Sequence, residues 1–391
     1  MFSSSVDFDN TGVAFQARSD TELRKAHTMF RMLNLGPLNS LGIQLTQFAL
    51  NLGLPVTPLL KATIYAHFCG GISRETCQET IDKLAKREIF TCLDYAVEGG
   101  QSNHGFDQCC QEVLKVIRFA GAKKPIPFAV FKPSGLGSAH LMAKIDSGAT
   151  LSTKEKQDWR EIRGRVNTLC KATVDAGINL FIDAEESWIQ DCIDSLCTEM
   201  MERYNKKAPV IFNTIQLYRV DRLDYLQASI KKARQGDYHL GLKLVRGAYL
   251  EKERDRAQEK GYASPVYANK DTTDKSYNLA LELCLENIDC VSVCAATHNE
   301  ESSLGLVARM RREGIASNHP HIWFSQLYGM GDTISYNLAK AGYQVCKYLP
   351  YAPLEEMLPY LMRRAEENSS ITGQMSRELR LLAQEIKRRR I

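Results

Sequence analysis

From about residue 88 onward, short apolar runs alternate with longer amphipathic stretches. The runs are rich in β-branched and aromatic residues: FTCLDYAV at 90–97, PFAVFKP at 127–133, INLFIDA at 178–184 and VIFNTIQLY at 210–218. They continue with LGLKLVRGAY at 240–249, DCVSVCAATH at 289–298, HIWFSQLYG at 321–329 and YQVCKYLPY at 343–351. A segment able to hold a helix follows each run, such as DQCCQEVLKVIRFAG, WREIRGRVNTLCKATVDAG, WIQDCIDSLCTEMMERY or RLDYLQASIKKARQ, and LEEMLPYLMRRAEENSS follows the eighth. Near-continuous apolar strands imply cover on both faces. Strand–helix alternation implies parallel pairing through right-handed crossovers. Eight such units predict an α/β fold of the (β/α)8 TIM-like barrel type over residues 88–370. An open doubly wound sheet would show a glycine-rich phosphate turn after its first strand, and VEGGQSNHG does not have the G-x-G-x-x-G form.

Before residue 88 no strand-like run occurs. TELRKAHTMFRMLN, LGIQLTQFALNLG and SRETCQETIDKLAKRE predict helices, broken by Gly36–Pro37 and Gly70–Gly71. Ser73, with Thr76 and Glu79 nearby, predicts a helix start. The tail MSRELRLLAQEIKRRRI reads as one more helix with a basic end. The expected organisation is an N-terminal helical arm over 1–87, a barrel over 88–370 and a C-terminal basic helix over 371–391.

Composition changes this picture little. A chain of 391 residues, 44% hydrophobic and 25% charged, can bury a large core and is not expected to be disordered. A net charge of +4 from 50 basic and 46 acidic residues is too balanced to point to nucleic acid, and no such partner is expected. The twelve cysteines include no C-x-x-C pair and no zinc-ligand spacing, so they are expected to be reduced core thiols. The N-terminus, MFSSSVDFDNTGVAFQ, has no basic start and carries acids early, which argues against a secretory signal or a mitochondrial presequence. No stretch reaches the roughly 18 apolar residues of a membrane span. The expected location is cytoplasmic, peripheral on the inner membrane in a bacterium, or mitochondrial where a targeting segment has been removed.

A barrel places its chemistry in the loops after its strands. The polar residues there are Glu98 after the first run, Lys132 with Ser134 after the second, and Asp183, Glu185 and Glu186 after the third. Gln216 and Tyr218 close the fourth, and the fifth carries Lys243, Arg246 and Tyr249. Thr297, His298 and Asn299 follow the sixth, Gln326 and Tyr328 the seventh, and Tyr351 the eighth. Charges inside apolar strands are costly unless paired or functional. Lys132 and Asp183 therefore read either as a buried structural ion pair or as catalytic groups. His298 reads equally as a loop histidine, and His319 and His321 around Pro320 as a turn. Neither the histidines nor the acids have ligand spacing, so no metal is expected. In Tyr360-Leu-Met-Arg363-Arg364-Ala-Glu-Glu367-Asn368, helical spacing puts Tyr360 and Glu367 on the face of Arg363. Two adjacent guanidinium forks suit a carboxylate. The alternative is an exposed basic stripe favoured by the helix dipole.

Several of these segments together resemble the flavin-dependent proline dehydrogenases, including the barrel of bifunctional bacterial proline-utilisation proteins and the monofunctional mitochondrial-type enzymes. They are LDYAVEGG, IDAEES, IQLYR, KLVRGAYLEKER, PVYANKDTTDKSYN, ATHN, QLYGMGD and KYLPYAPLEEMLPYLMRRAEENSS, spread over about residues 88–375. The resemblance implies FAD as cofactor and L-proline as substrate. It implies oxidation to Δ1-pyrroline-5-carboxylate by hydride transfer to flavin N5 in proline catabolism, with electrons leaving to a membrane quinone. Carried onto the matching positions, it makes Asp183, Lys132 and Lys243 catalytic. Arg363 and Arg364 bind the substrate carboxylate, Glu98 closes an ion-pair gate with the first of them, and Tyr249, Tyr351, Tyr360 and Leu327 pack around the ring. The flavin meets Ala184, Gln216, Lys243, Arg246, Gly247, Ala248, Thr272, Thr273, Thr297, His298, Asn299 and Gln326. Bacterial bifunctional relatives carry arginine where this chain has Lys243, and their interval between the residues matching Tyr351 and Tyr360 is longer. Mitochondrial-type enzymes often have glycine at Ala352. Hydroxyproline dehydrogenase is the alternative within the family. A Schiff-base lyase or aldolase barrel using Lys132 is the alternative of another class. The basic end IKRRRI suggests peripheral contact with an anionic bilayer.

Overall fold

A computed structural model describes residues 6–33, 64–96, 102–354, 356–357, 360–361 and 372–391. Each apolar run contains one strand: β1 Ile89–Tyr95, β2 Phe128–Phe131, β3 Asn179–Ile182, β4 Ile211–Gln216, β5 Leu240–Val245, β6 Val291–Ala296, β7 Ile322–Leu327 and β8 Val345–Tyr351. The strands pair in chain order and close into a barrel, and the neighbouring pairs from β1 to β7 are parallel. This is the (β/α)8 architecture that the alternation predicts.

The register shows which side chains face the barrel axis. The rings of Phe128 and Trp323 approach to 5.0 Å, although β2 and β7 are not neighbours, so both point inward. Phe128 also stacks on Phe181 at 4.3 Å, and Phe212 meets both edge-on. These aromatics form one interior layer. Phe212 has Gly241 as its register partner, and a Cβ on Gly241 would stand 2.9 Å from the Phe212 ring, so the glycine makes room for it. Side chains alternate between faces along a strand. Counting in twos from this layer puts Lys132, Asp183, Gln216 and Lys243 on the interior side, toward the C-terminal ends of their strands.

The chain divides into two compact units, Met1–Thr91 with Gln326–Ile391, and Cys92–Ser325. In the second unit, helices follow the strands as expected, with two in succession after β2 (Ala139–Asp146 and Thr153–Ala176) and after β5 (Leu250–Lys260 and Lys270–Glu286). Their starts are chemically marked. Ser152 and Glu155 form a capping box, and Asn269 and Asn299 cap the helices Lys270–Glu286 and Glu300–Arg312.

The first unit holds the helices Asp20–Leu33, Gln78–Ala85, Asp332–Lys340 and Thr372–Arg389. Ser73 does not begin a helix. Its amide donates to Thr76 Oγ1 at 2.9 Å and the Thr76 amide donates to Ser73 Oγ at 3.3 Å, which closes a turn, and the helix starts at Gln78. Arg389 donates to Phe15 O, Arg18 O and Asp20, and with Arg388 it also holds Glu385. All twelve cysteines are free thiols, and only Cys109 and Cys290 are not buried.

Candidate active site

Lys132 follows β2 directly and enters a short turn, Pro133–Gly135, closed by the Gly135 amide on Lys132 O at 2.9 Å. Its ammonium donates to the Tyr249 hydroxyl at 3.4 Å. Tyr249 stands just before the helix Leu250–Lys260. Burial raises the Tyr249 hydroxyl above its ordinary value, although the Lys132 charge opposes this. Glu185 is buried beside them. Its two carboxylate oxygens accept from the Ser134 amide at 2.8 Å and from Ser134 Oγ at 2.5 Å. From sequence Glu185 is one of three acids after β3 and, unlike Asp183, carries no assigned role. A carboxylate two residues beyond an inward Asp183 was the available signal.

Asp183 and Lys243 form an ion pair between β3 and β5. Lys243 is buried, and its ammonium lies 5.2 Å from the centre of the Phe181 ring. Asp183 is thus paired with Lys243, and Lys132 donates to Tyr249. Gln216, at the end of β4, is buried, and its Oε1 accepts no hydrogen bond from the described residues. Ala184, next to Asp183, is buried as well.

Arg246 falls on the opposite face of the β5 segment from Lys243. Its Nε donates to Asp274 at 2.6 Å, Nη1 to Thr297 Oγ1 at 2.6 Å and Nη2 to Ser302 Oγ at 3.0 Å. The guanidinium also lies 4.4 Å from the Tyr277 ring centre. One arginine therefore joins the end of β5 to the helix Lys270–Glu286 and to the loop after β6. Thr297 Oγ1 accepts in addition from the Asn299 amide at 3.0 Å. Thr272 donates to Asn269 Oδ1 through its amide and its hydroxyl, each at 2.9 Å, and the neighbouring Thr273 is buried. Gly247 adopts φ 137°, and a Cβ there would lie 2.4 Å from the Tyr218 ring, so only glycine fits. Ala248 is exposed and His298 half-buried.

In the first unit, Gln326 and Leu327 end β7. Gln326 is buried and accepts from Ser335 Oγ at 2.8 Å. Tyr351, the last residue of β8, is buried and bridges to Gly71. Tyr360 is buried in a helical segment. Glu98, Arg363 and Arg364 lie outside the described residues.

The model of the proline dehydrogenase family matches residues 77–377. The chain belongs to the proline dehydrogenase family. It is 37% identical over 330 residues to the carbapenem antibiotics biosynthesis protein CarD of Pectobacterium carotovorum subsp. carotovorum, covering 84% of this chain and 85% of that one. The mitochondrial proline dehydrogenase 1 of Caenorhabditis elegans is 39% identical over 79% of this chain and 48% of its own length. The hydroxyproline dehydrogenase of Xenopus laevis is 29% identical over 98% of this chain and 90% of its own. A crystal structure of proline utilization A from Bdellovibrio bacteriovorus, inactivated by N-propargylglycine, shares the fold with a TM-score of 0.72 at 19% identity. It is matched over 92% of this chain, which spans 38% of that one. As a member of the proline dehydrogenase family, the chain is an oxidoreductase. Among the described residues no helix is long and apolar enough to cross a membrane.

Proposed function

We propose that this chain oxidises L-proline to Δ1-pyrroline-5-carboxylate with FAD as cofactor and passes the electrons to a quinone, in proline catabolism. One observation carries the reading. Lys132, Asp183, Gln216 and Lys243 stand together on the interior face above the aromatic layer, in a chain matched by the proline dehydrogenase family over 77–377.

The residues present fit a flavin. The buried Gln216 Oε1 has no acceptor role within the described residues, and Lys243 and Arg246 offer positive charge fixed by carboxylates. Bound FAD supplies the hydride acceptor. Gln216, Lys243, Gln326 and the Thr297–Asn299 loop would hold it, with Ala184, Arg246, Gly247, Ala248, Thr272 and Thr273. Asp183 holds the Lys243 ammonium in place, which orients donors in a site shielded from water. Lys132 and Tyr249 would meet the substrate, and Leu327, Tyr351 and Tyr360 would pack on its ring. Arg363 and Arg364 would grip its carboxylate, with Glu98 as the gate. The substrate nitrogen must be neutral for the adjacent carbon to give up hydride, so turnover falls as pH is lowered.

A quinone is reached at a membrane surface, and the protein is proposed to be cytoplasmic with peripheral contact at the inner membrane of a bacterium, or mitochondrial like the relative from Caenorhabditis elegans. Of the basic tail, Lys387, Arg388 and Arg390 are exposed, and Arg388 with the half-buried Arg389 holds Glu385. The test of the whole reading is the absorption spectrum of the purified protein under anaerobic conditions. Flavin bands that bleach on addition of L-proline are expected, and a spectrum without flavin, or one that proline leaves unchanged, refutes it.

Likeness to a hydroxyproline dehydrogenase over 98% of the chain favours one second reading. An apolar pocket discriminates weakly against an added hydroxyl. Turnover on trans-4-hydroxyproline exceeding that on proline by about tenfold or more would replace the first substrate with the second.

A further inference from the structure

We infer that Glu185 is a positioning residue for Lys132, acting through Ser134. Lys132 lies between the end of β2 at Phe131 and the single 3-10 turn Pro133–Gly135, which it caps. Glu185 restrains that turn. Its Oε1 takes the Ser134 amide at 2.8 Å and its Oε2 takes Ser134 Oγ at 2.5 Å, so two bonds fix the turn in one orientation. The clamp is itself fastened from behind. The Glu185 amide donates to Gln190 Oε1 at 2.9 Å, and Gln190 Nε2 donates to Asp194 Oδ1 at 2.9 Å. Asp194 also accepts from Asn213 on β4 at 2.9 Å and from Arg222 at 2.7 Å. A buried hydrogen-bonded network of this kind rigidifies the groups it joins. Burial pushes the Glu185 carboxyl above its ordinary value, while the Lys132 charge and the Ser134 bonds oppose it.

The inference rests on the proposed assignment of Lys132 to the substrate. It is tested by steady-state kinetics on L-proline of Glu185→Ala and Glu185→Gln, each with and without Lys132→Ala, together with amide hydrogen exchange of the Ser134 segment. Glu185→Ala is expected to lower kcat/KM about tenfold or more with FAD content unchanged. In the Lys132→Ala background the same change is expected to cost less than about twofold. Glu185→Gln retains an acceptor for the Ser134 amide and recovers most of the loss. Equal losses in the two backgrounds overturn the inference, as does unaltered exchange at Ser134 in Glu185→Ala. Should Glu185→Ala not fold, Ser134→Ala removes one of the two bonds, and the same comparison with Lys132→Ala decides. Wild-type turnover in Lys132→Ala alone removes Lys132 from the reaction, and with it the catalytic consequence of the clamp. Unaltered exchange at Ser134 removes the clamp and leaves the role of Lys132 standing.

Discussion

Lys347 Nζ lies 2.9 Å from Asp332 Oδ1, with Lys347 wholly buried in β8. The other carboxylate oxygen of Asp332 takes Arg18 Nη2 at 2.5 Å. Lys347 also donates to the carbonyls of Leu327 at 3.3 Å and Met330 at 2.5 Å. The loop after β7 is thus bound to β8 by one ammonium, and Arg18 from the N-terminal region shares the same carboxylate. The two partners shift in different senses. Burial pushes the Asp332 carboxyl up, but two cations reverse this and leave it well below the usual carboxylate range. Burial leaves Lys347 below the ordinary lysine value, although the Asp332 and Glu378 carboxylates oppose this.

A carboxyl held low in the folded state binds fewer protons there than in the unfolded chain. The stability it contributes is complete above the unfolded value of about 4 and is lost as pH falls through the folded value. Melting temperature is therefore expected to drop with increasing slope below about pH 4.5. Asp332→Asn should flatten that slope and cost about 3–5 kcal/mol at neutral pH, since it leaves two cations without their carboxylate. Thermal melts between pH 3 and 7 check both, and an unchanged acid slope would acquit Asp332.

Arg246 makes three hydrogen bonds, to Asp274, Thr297 and Ser302. Hydrogen bonds of a charged group contribute about 1.5–3 kcal/mol each. Arg246→Ala should lower the melting temperature and release the flavin, because the loop after β6 and the start of the helix Lys270–Glu286 lose their common tie. Arg246→Lys keeps the charge but cannot span three acceptors, so it should fall between. The flavin-to-protein absorbance ratio after desalting is the readout, and full flavin retention in Arg246→Ala would contradict this account.

The barrel was legible because strands buried on both faces stand out as apolar runs, whereas the caps at Asn269 and Asn299 emerge only in the structure. Ser73 shows why such caps are hard to read. The same Ser–Thr chemistry that caps a helix also closes a turn, and nothing local separates the two. Period-two alternation suffices to send Lys132, Asp183 and Lys243 inward. It does not say which inward groups meet, since that depends on the stagger between β2, β3 and β5. Asp183 reads as an ion-pair partner for Lys132, and the pairing with Lys243 across β3 and β5 is not legible in the sequence. Lys347 has the same signature, a charge in an apolar run, but a carboxylate that pairs with it lies at the start of the helix Asp332–Lys340.

The adjacent Arg363 and Arg364 are argued from sequence spacing and family resemblance. If both forks hold the substrate carboxylate, Arg364→Ala removes ground-state binding and raises KM for proline about tenfold or more with flavin retained. Initial-rate kinetics over a wide proline range give the split between KM and kcat. Kinetics like those of the wild type would make the pair a surface stripe at a helix end.

The Asp183–Lys243 pair offers the sharpest test of the interior face. Lys243 is buried and Asp183 is its carboxylate, so removing that charge leaves a cation in a site that cannot solvate it. Asp183→Asn should lower kcat about tenfold to a hundredfold with the barrel intact, because an amide neither balances the ammonium nor fixes its direction. Lys243→Met deletes the charge and leaves Asp183 uncompensated, and should be at least as damaging. Lys243→Arg supplies a guanidinium able to take both Asp183 oxygens, and it should keep most of the turnover while the two other variants do not. Stopped-flow reduction of the flavin by proline isolates the step in question. Equal rates for all four proteins would make the pair a structural tie, whereas slow reduction in Asp183→Asn and Lys243→Met with fast reduction in Lys243→Arg would show that a balanced charge at this point on β5 is what the reaction requires.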